Sequence, residues 1–220
     1  MSLLSTFAGG GGSLVKYQAQ LFTSSGTFTL PAKLVGDTVQ VTAIGGGGSG
    51  AANASSNGNT WGGNGGESIQ QIPMVIIADQ TVTIGAGGAA RVSSGGGNAG
   101  GSTSFGSNTV AGGGGGINAT YPSHIGGSFG STRYGTSLVV AATSQGGPFG
   151  GSGGVTNINY SYAGAGGGGL VLDDSGTKGG VASAFGSSGG VGYGAGGAAH
   201  SYTSGAGAAG AVLVEWMEEV

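Results

Sequence analysis

Apolar and polar residues alternate along GDTVQVTAIGGGG (36–48), placing Val39, Val41 and Ala43 on one face after a Gly-Asp turn. LFTSSGTFTLP (21–31) reads as a second strand, with Phe22, Phe28 and Leu30 among hydroxyl residues and a stop at Pro31. PMVIIADQTVTIGAGG (73–88) gives Met74 to Ile77, a turn at Ala78-Asp79-Gln80, then Val82 and Ile84 in alternation. SLVVAAT (137–143) and AVLVEW (211–216) are shorter runs of the same kind. None of them carries a 3.6-residue period, and glycine elsewhere makes helix unfavourable by about 1 kcal/mol per residue relative to alanine. The expectation is an all-β, partly irregular fold with almost no α-helix, framed by a small antiparallel, sandwich-like set of strands.

Composition changes the picture between those strands. Glycine accounts for 58 of the 220 residues, a level at which disorder is the first suspicion. Disordered chains are poor in apolar residues and rich in charge, whereas this one is 37% hydrophobic and 6% charged. A plain Gly/Ser linker would also lack large apolar residues, yet Trp61, Phe105, Tyr121, Phe129, Tyr160, Phe185 and Tyr193 interrupt the glycine runs. The runs have no Gly-X-Y period, which excludes collagen. Ordered oligoglycine must place every backbone N–H and C=O on a partner. Extended left-handed helices of three residues per turn make no internal bonds, so neighbouring segments must supply them. Without Cβ atoms such segments can pack closely enough to do so. The glycine runs within 45–210 are therefore expected to form a bundle of polyglycine-II helices, with the intervening stretches as loops at its ends.

The charges are sparse. Five Lys and Arg against eight Asp and Glu leave a net charge of −3, and between Val92 and Leu172 only Arg133 is charged. Nucleic acid is not an expected partner, because phosphate neutralisation needs clustered cations. There is no cysteine, which removes disulfides and thiol chemistry. The opening MSLLSTFAGGGG lacks the basic start and long apolar run of a secretory signal, and no stretch resembles a membrane span.

The order of fragments resembles the glycine-rich domain of bacteriophage tail-fibre proteins and tip adhesins. FTSSGTFTLP (22–31) and VQVTAIGGGG (39–48) carry the likeness, followed by GGNGGES (62–68), TVTIGAGG (81–88), GGSTSFG (100–106) and VAGGGGG (110–116). GAAGAVLVEW (207–216) is similar to the ending of such domains. The resemblance implies a receptor-binding protein of the virion, at a tail-fibre tip, acting at the host surface on an outer-membrane protein, pilus or polysaccharide. It leaves residues 1–20 to dock onto other tail-fibre or baseplate proteins and residues 21–220 as the adhesin domain, with a homotrimer as one assembly state.

Competing chemistry is thin. Gly164 to Gly169 satisfies G-x-G-x-x-G, but neither a convincing strand nor a helix flanks it. His124 and His200 are the two histidines; with Asp173-Asp174 better read as a turn, they suggest neither a catalytic constellation nor a metal site. No enzyme activity and no cofactor is expected. The loops between runs are rich in Tyr, Asn, Ser and Thr, a mixture of rigid aromatics and adaptable hydrogen-bonders typical of recognition surfaces. The candidate receptor-binding residues are Trp61, Tyr121, His124, Phe129, Arg133, Tyr134, Tyr160, Tyr162, His200 and Tyr202. Phe105, Phe185 and Trp216 are assigned to packing instead. Two other readings compete: a structural fibre or baseplate component, and an ice-binding protein, for which the run spacing is too irregular.

Overall fold

The computed structural model describes residues 14–52, 59–60, 62–116, 118–119, 132–134, 137–139, 182–183, 186–187, 189–190, 192–199 and 203–220. In chain order the strands are β1 (Val15–Phe22), β2 (Gly26–Phe28), β3 (Thr38–Ile44), β4 (Asn59–Thr60), β5 (Ser68–Val75), β6 (Gln80–Thr83) and β7 (Thr103–Phe105). There follow β8 (Asn108–Val110), β9 (Asn118–Ala119), β10 (Thr132–Tyr134), β11 (Ser137–Val139), β12 (Ala182–Ser183), β13 (Gly186–Ser187) and β14 (Ala211–Glu219). A 3-10 turn at Val35–Asp37 is the one helical element among the described residues.

Two sheets form the frame. A six-stranded sheet has the order β1-β14-β3-β5-β10-β11, antiparallel except where β10 runs parallel to β5, and a four-stranded sheet has the order β2-β6-β7-β8. Val39, Val41, Ala43, Val212 and Val214 from the first sheet meet Phe28, Val82, Phe105 and Val110 from the second in one buried cluster. Trp216 packs edge-on to Phe28, ring centroids 5.2 Å apart, and Phe28 tilts against Phe105 at 5.7 Å. Phe105 and Trp216 thus serve packing, as expected.

Three elements depart from the sequence reading. Val15–Phe22 pairs residue for residue with Val212–Glu219, so the expected division at residue 20 falls inside a strand of the frame. β5 starts at Ser68, ahead of Pro73, and its register with β3 shifts between Val41 and Ala43. There Gln71 takes φ 47° and its N–H donates to Thr42 Oγ1 at 3.0 Å. The extra residue switches faces, letting both Ile69 and Ile72 reach the core and hiding the alternation. The β7–β8 hairpin turns at Gly106 (φ 57°), and its three-residue strands are too short to show a period.

The glycine runs continue the strands. Residues 45–50 leave β3 and lie fully buried. Their successive N–H groups donate to three different segments in rotation. Gly45 and Gly48 bond Glu67 and Asn64 (2.9 and 2.9 Å), Gly46 and Ser49 bond Gly101 and Asn98 (2.9 and 2.9 Å), and Gly47 and Gly50 bond Ala208 and Gly205 (2.8 and 3.1 Å). Carbonyls of the same segment accept from three others: Gly46 and Ser49 from Gly113 and Gly116, Gly47 from Gly88, and Gly48 from Gly197. A repeat of three is what an extended helix of three residues per turn imposes.

Segments 62–67, 111–116, 96–101, 84–90, 203–210 and 194–199 therefore ring the central one, and each bonds the next around the circle. The links are Asn64→Gly114, Gly97→Gly116, Gly101→Ala86, Gly207→Gly88, Gly205→Ala198 and Gly63→Gly197. Rods leaving the frame after β3, β6 and β8 alternate with rods returning to β5, β7 and β14. A Cβ on Gly47 would lie 2.1 Å from the Ala195 carbonyl oxygen, a close approach that only glycine permits.

Candidate functional site

The bundle gives the molecule two poles. At the frame pole, Val15 pairs with Glu219 and Val220 N–H donates to the Leu14 carbonyl at 2.9 Å. At the far pole the described rods end, and 89–95 joins two of them. Ala52 and Gly95 exchange backbone bonds of 3.0 and 2.7 Å, and Ser204 N–H donates to the Arg91 carbonyl at 3.0 Å. The sequence sets its candidate loops at the ends of the bundle, without choosing a pole.

Of the candidate receptor-binding residues, Trp61, Tyr121, His124, Phe129, Tyr160, Tyr162, His200 and Tyr202 lie outside the described residues, as does Phe185. Arg133 and Tyr134 belong to β10, whose backbone pairs Thr132 and Arg133 with Ser68 and Ile69 of β5. That pairing puts them on the frame's sheet rather than at the rod ends. The structure does bring two of the candidate loops together, because Asn59 and Thr60 of β4 pair with Ala119 and Asn118 of β9. The stretch leading into Trp61 is thus bonded to the stretch leading into Tyr121 and His124. His200 and Tyr202 fall between Ala199 and Thr203, where two adjacent rods end.

One feature of the far pole was missed in the sequence: the connection 89–95, AARVSSG. It is short, lacks aromatics and sits between glycine runs, so only its lone charge could have drawn notice. Arg91 N–H donates to the buried Ser204 Oγ at 2.9 Å, and Asn98 Nδ2 bonds the Ala89 carbonyl at 2.7 Å. Val92 is 82% exposed beside it.

Charge divides along the same axis. Lys16 pairs with Glu218 at 3.4 Å on the frame, and Asp79 Oδ1 accepts from Leu30 N–H at 2.8 Å. Tyr17 Oη donates to Glu215; burial first, then that hydrogen bond and the carboxylate's charge, push the Tyr17 phenol up to about 12. Glu67 sits at the junction, its Oε2 accepting from Ala111 N–H at 2.9 Å. Among the described residues no group of three or more His, Asp or Glu side chains could hold a metal ion.

A family described as a glycine-rich domain matches residues 23–217, nearly the whole chain, and the chain belongs to that family. No curated protein matches it.

Proposed function

We propose that this glycine-rich domain is a bacteriophage tail-fibre adhesin, non-enzymatic, that recognises a bacterial surface receptor through loops at the far pole of its bundle. The observation that carries the reading is the separation of poles: strands β1 and β14 bring both described ends of the chain to the frame, while rod connections gather at the opposite end. Attachment through residues preceding β1 would leave those connections facing outward. Loops on a rigid scaffold are a common seat of binding, and the quoted fragments from FTSSGTFTLP to GAAGAVLVEW supply the link to phage adhesins.

Recognition would rest on aromatic stacking and hydrogen bonds from Trp61, Tyr121, His124, Tyr160, Tyr162 and Tyr202, with little long-range steering because the charge is sparse. Several fibres binding together would raise weak single contacts to firm attachment. The test is competition: purified chain should block adsorption of the phage to its host, nearly independently of salt. Tyr121→Ala combined with His124→Ala should lose that competition while melting like the wild type. A wild-type chain that binds no bacterial surface overturns the proposal.

A further inference from the structure

Arg91 is the one charged side chain described at the far pole; the other described charges lie on the frame or, as with Glu67, at its junction with the rods. Its main chain is fixed on both sides, the N–H by Ser204 Oγ at 2.9 Å and the carbonyl by Ser204 N–H at 3.0 Å. The guanidinium folds back over Gly95, where a Cβ would stand 2.5 Å from Nη2. In that position Nε is buried without a hydrogen-bond partner. Leaving such a donor buried and unpaired is costly, the more so for a charged group. A side chain held in this state gains by turning out to an external acceptor, and interface side chains commonly change rotamer on binding.

We infer that Arg91 is an anion-recognition element of the far pole, turning outward to grip a carboxylate or phosphate oxygen pair on the bound surface. The inference rests on the adhesin reading for its biological partner, though not for its chemistry. Guanidinium presents paired N–H donors in a planar fork that matches both anions, which an ammonium cannot do. The described acidic side chains belong to the junction and frame, so none of those competes for it at this pole.

The test observes the Arg91 Nε–H resonance in the full chain by NMR, assigned by its loss in Arg91→Lys. Titration with glucuronate or with inorganic phosphate should give a saturable shift, and neutral glucose none. A response to glucuronate alone points to acidic sugars, and to phosphate alone points to phosphate-bearing polymers. No shift with either anion, or a shift no different from that with chloride, overturns the inference. On cells, Arg91→Gln should weaken adsorption roughly tenfold or more with an unchanged melt. Undiminished adsorption by this variant refutes Arg91 as a contact while sparing the adhesin reading. A saturable anion shift in a chain that adsorbs to no bacterium does the reverse.

Discussion

The sandwich and the glycine bundle solve the same burial problem with opposite materials. In the sandwich, side chains do the work: Phe28, Phe105, Val39, Val41, Val82, Val110, Val212 and Val214 fill the space between two sheets. In the bundle there is almost nothing between the rods except backbone. Central residues Gly45 to Gly50 are buried, as Val41 is, yet five of the six are glycine. There cohesion comes from lateral hydrogen bonds, each contributing about 1 kcal/mol net, and from close dispersion contact. A hydrophobic core tolerates exchange of one apolar side chain for another of similar volume. A backbone core has no side chain to exchange, so it should forgive missing atoms and reject added ones.

The sharpest way to break this comparison is to add one methyl group at the centre. Gly47→Ala places a Cβ 2.1 Å from the Ala195 carbonyl oxygen. It should exceed the roughly 3 kcal/mol usual for overpacking and abolish a single cooperative melt. Removing atoms from the sandwich comes next. Phe105→Ala should cost about 3–5 kcal/mol, read as a lower denaturant midpoint, with the cooperative transition retained.

A smaller effect is expected where the two regions meet. Thr103 is fully buried and its Oγ1 accepts from Gly85 N–H at 3.0 Å, at the step from β6 into its rod. Thr103→Val keeps the shape but orphans that donor, so a loss of about 1–3 kcal/mol should appear in denaturant unfolding. Within one rod, Gly114 should tolerate what its neighbours refuse. Its nearest atom to an added Cβ is Asn64 Nδ2 at 3.5 Å, against 2.1 Å to backbone oxygens at Gly113 and Gly115. Gly114→Ala should therefore change stability by less than about 1 kcal/mol, whereas Gly115→Ala should unfold the chain.

The smallest effect lies in the frame. Tyr17 titrates near 12 when folded, above its ordinary value of 10.0. The neutral phenol is the form the fold favours, so its contribution is complete below about pH 10 and is lost as pH rises through about 12. Comparing Tyr17→Phe with wild type across that window should show a shallower loss of stability in the variant.

Legibility in the sequence follows the same division. β3, β6 and β14 could be read because alternation records which face is buried. The first half of β5 could not, since the bulge at Gln71 resets the period, and β7 and β8 are too short to have one. The need for lateral bonding could be deduced from glycine alone. Which rod neighbours which could not, because glycine carries no side chain to mark a face, and nothing distinguishes 45–50 as the central run. Aromatics drew notice to the loops between runs, while Arg91 was a single charge in a seven-residue connection, and its contacts with Ser204 and Gly95 depend on a fold the sequence does not spell out.

Lateral bonding and close contact of backbone should make the bundle as firm as the sandwich, and so a rigid support for its far pole. Amide hydrogen exchange on the intact chain tests it most directly. The amides of Gly46, Gly47, Gly48 and Gly50 should exchange only through global unfolding, with protection equal to that of Val41 and Val214. Exchange at those glycines orders of magnitude faster than in β3 and β14 would contradict it.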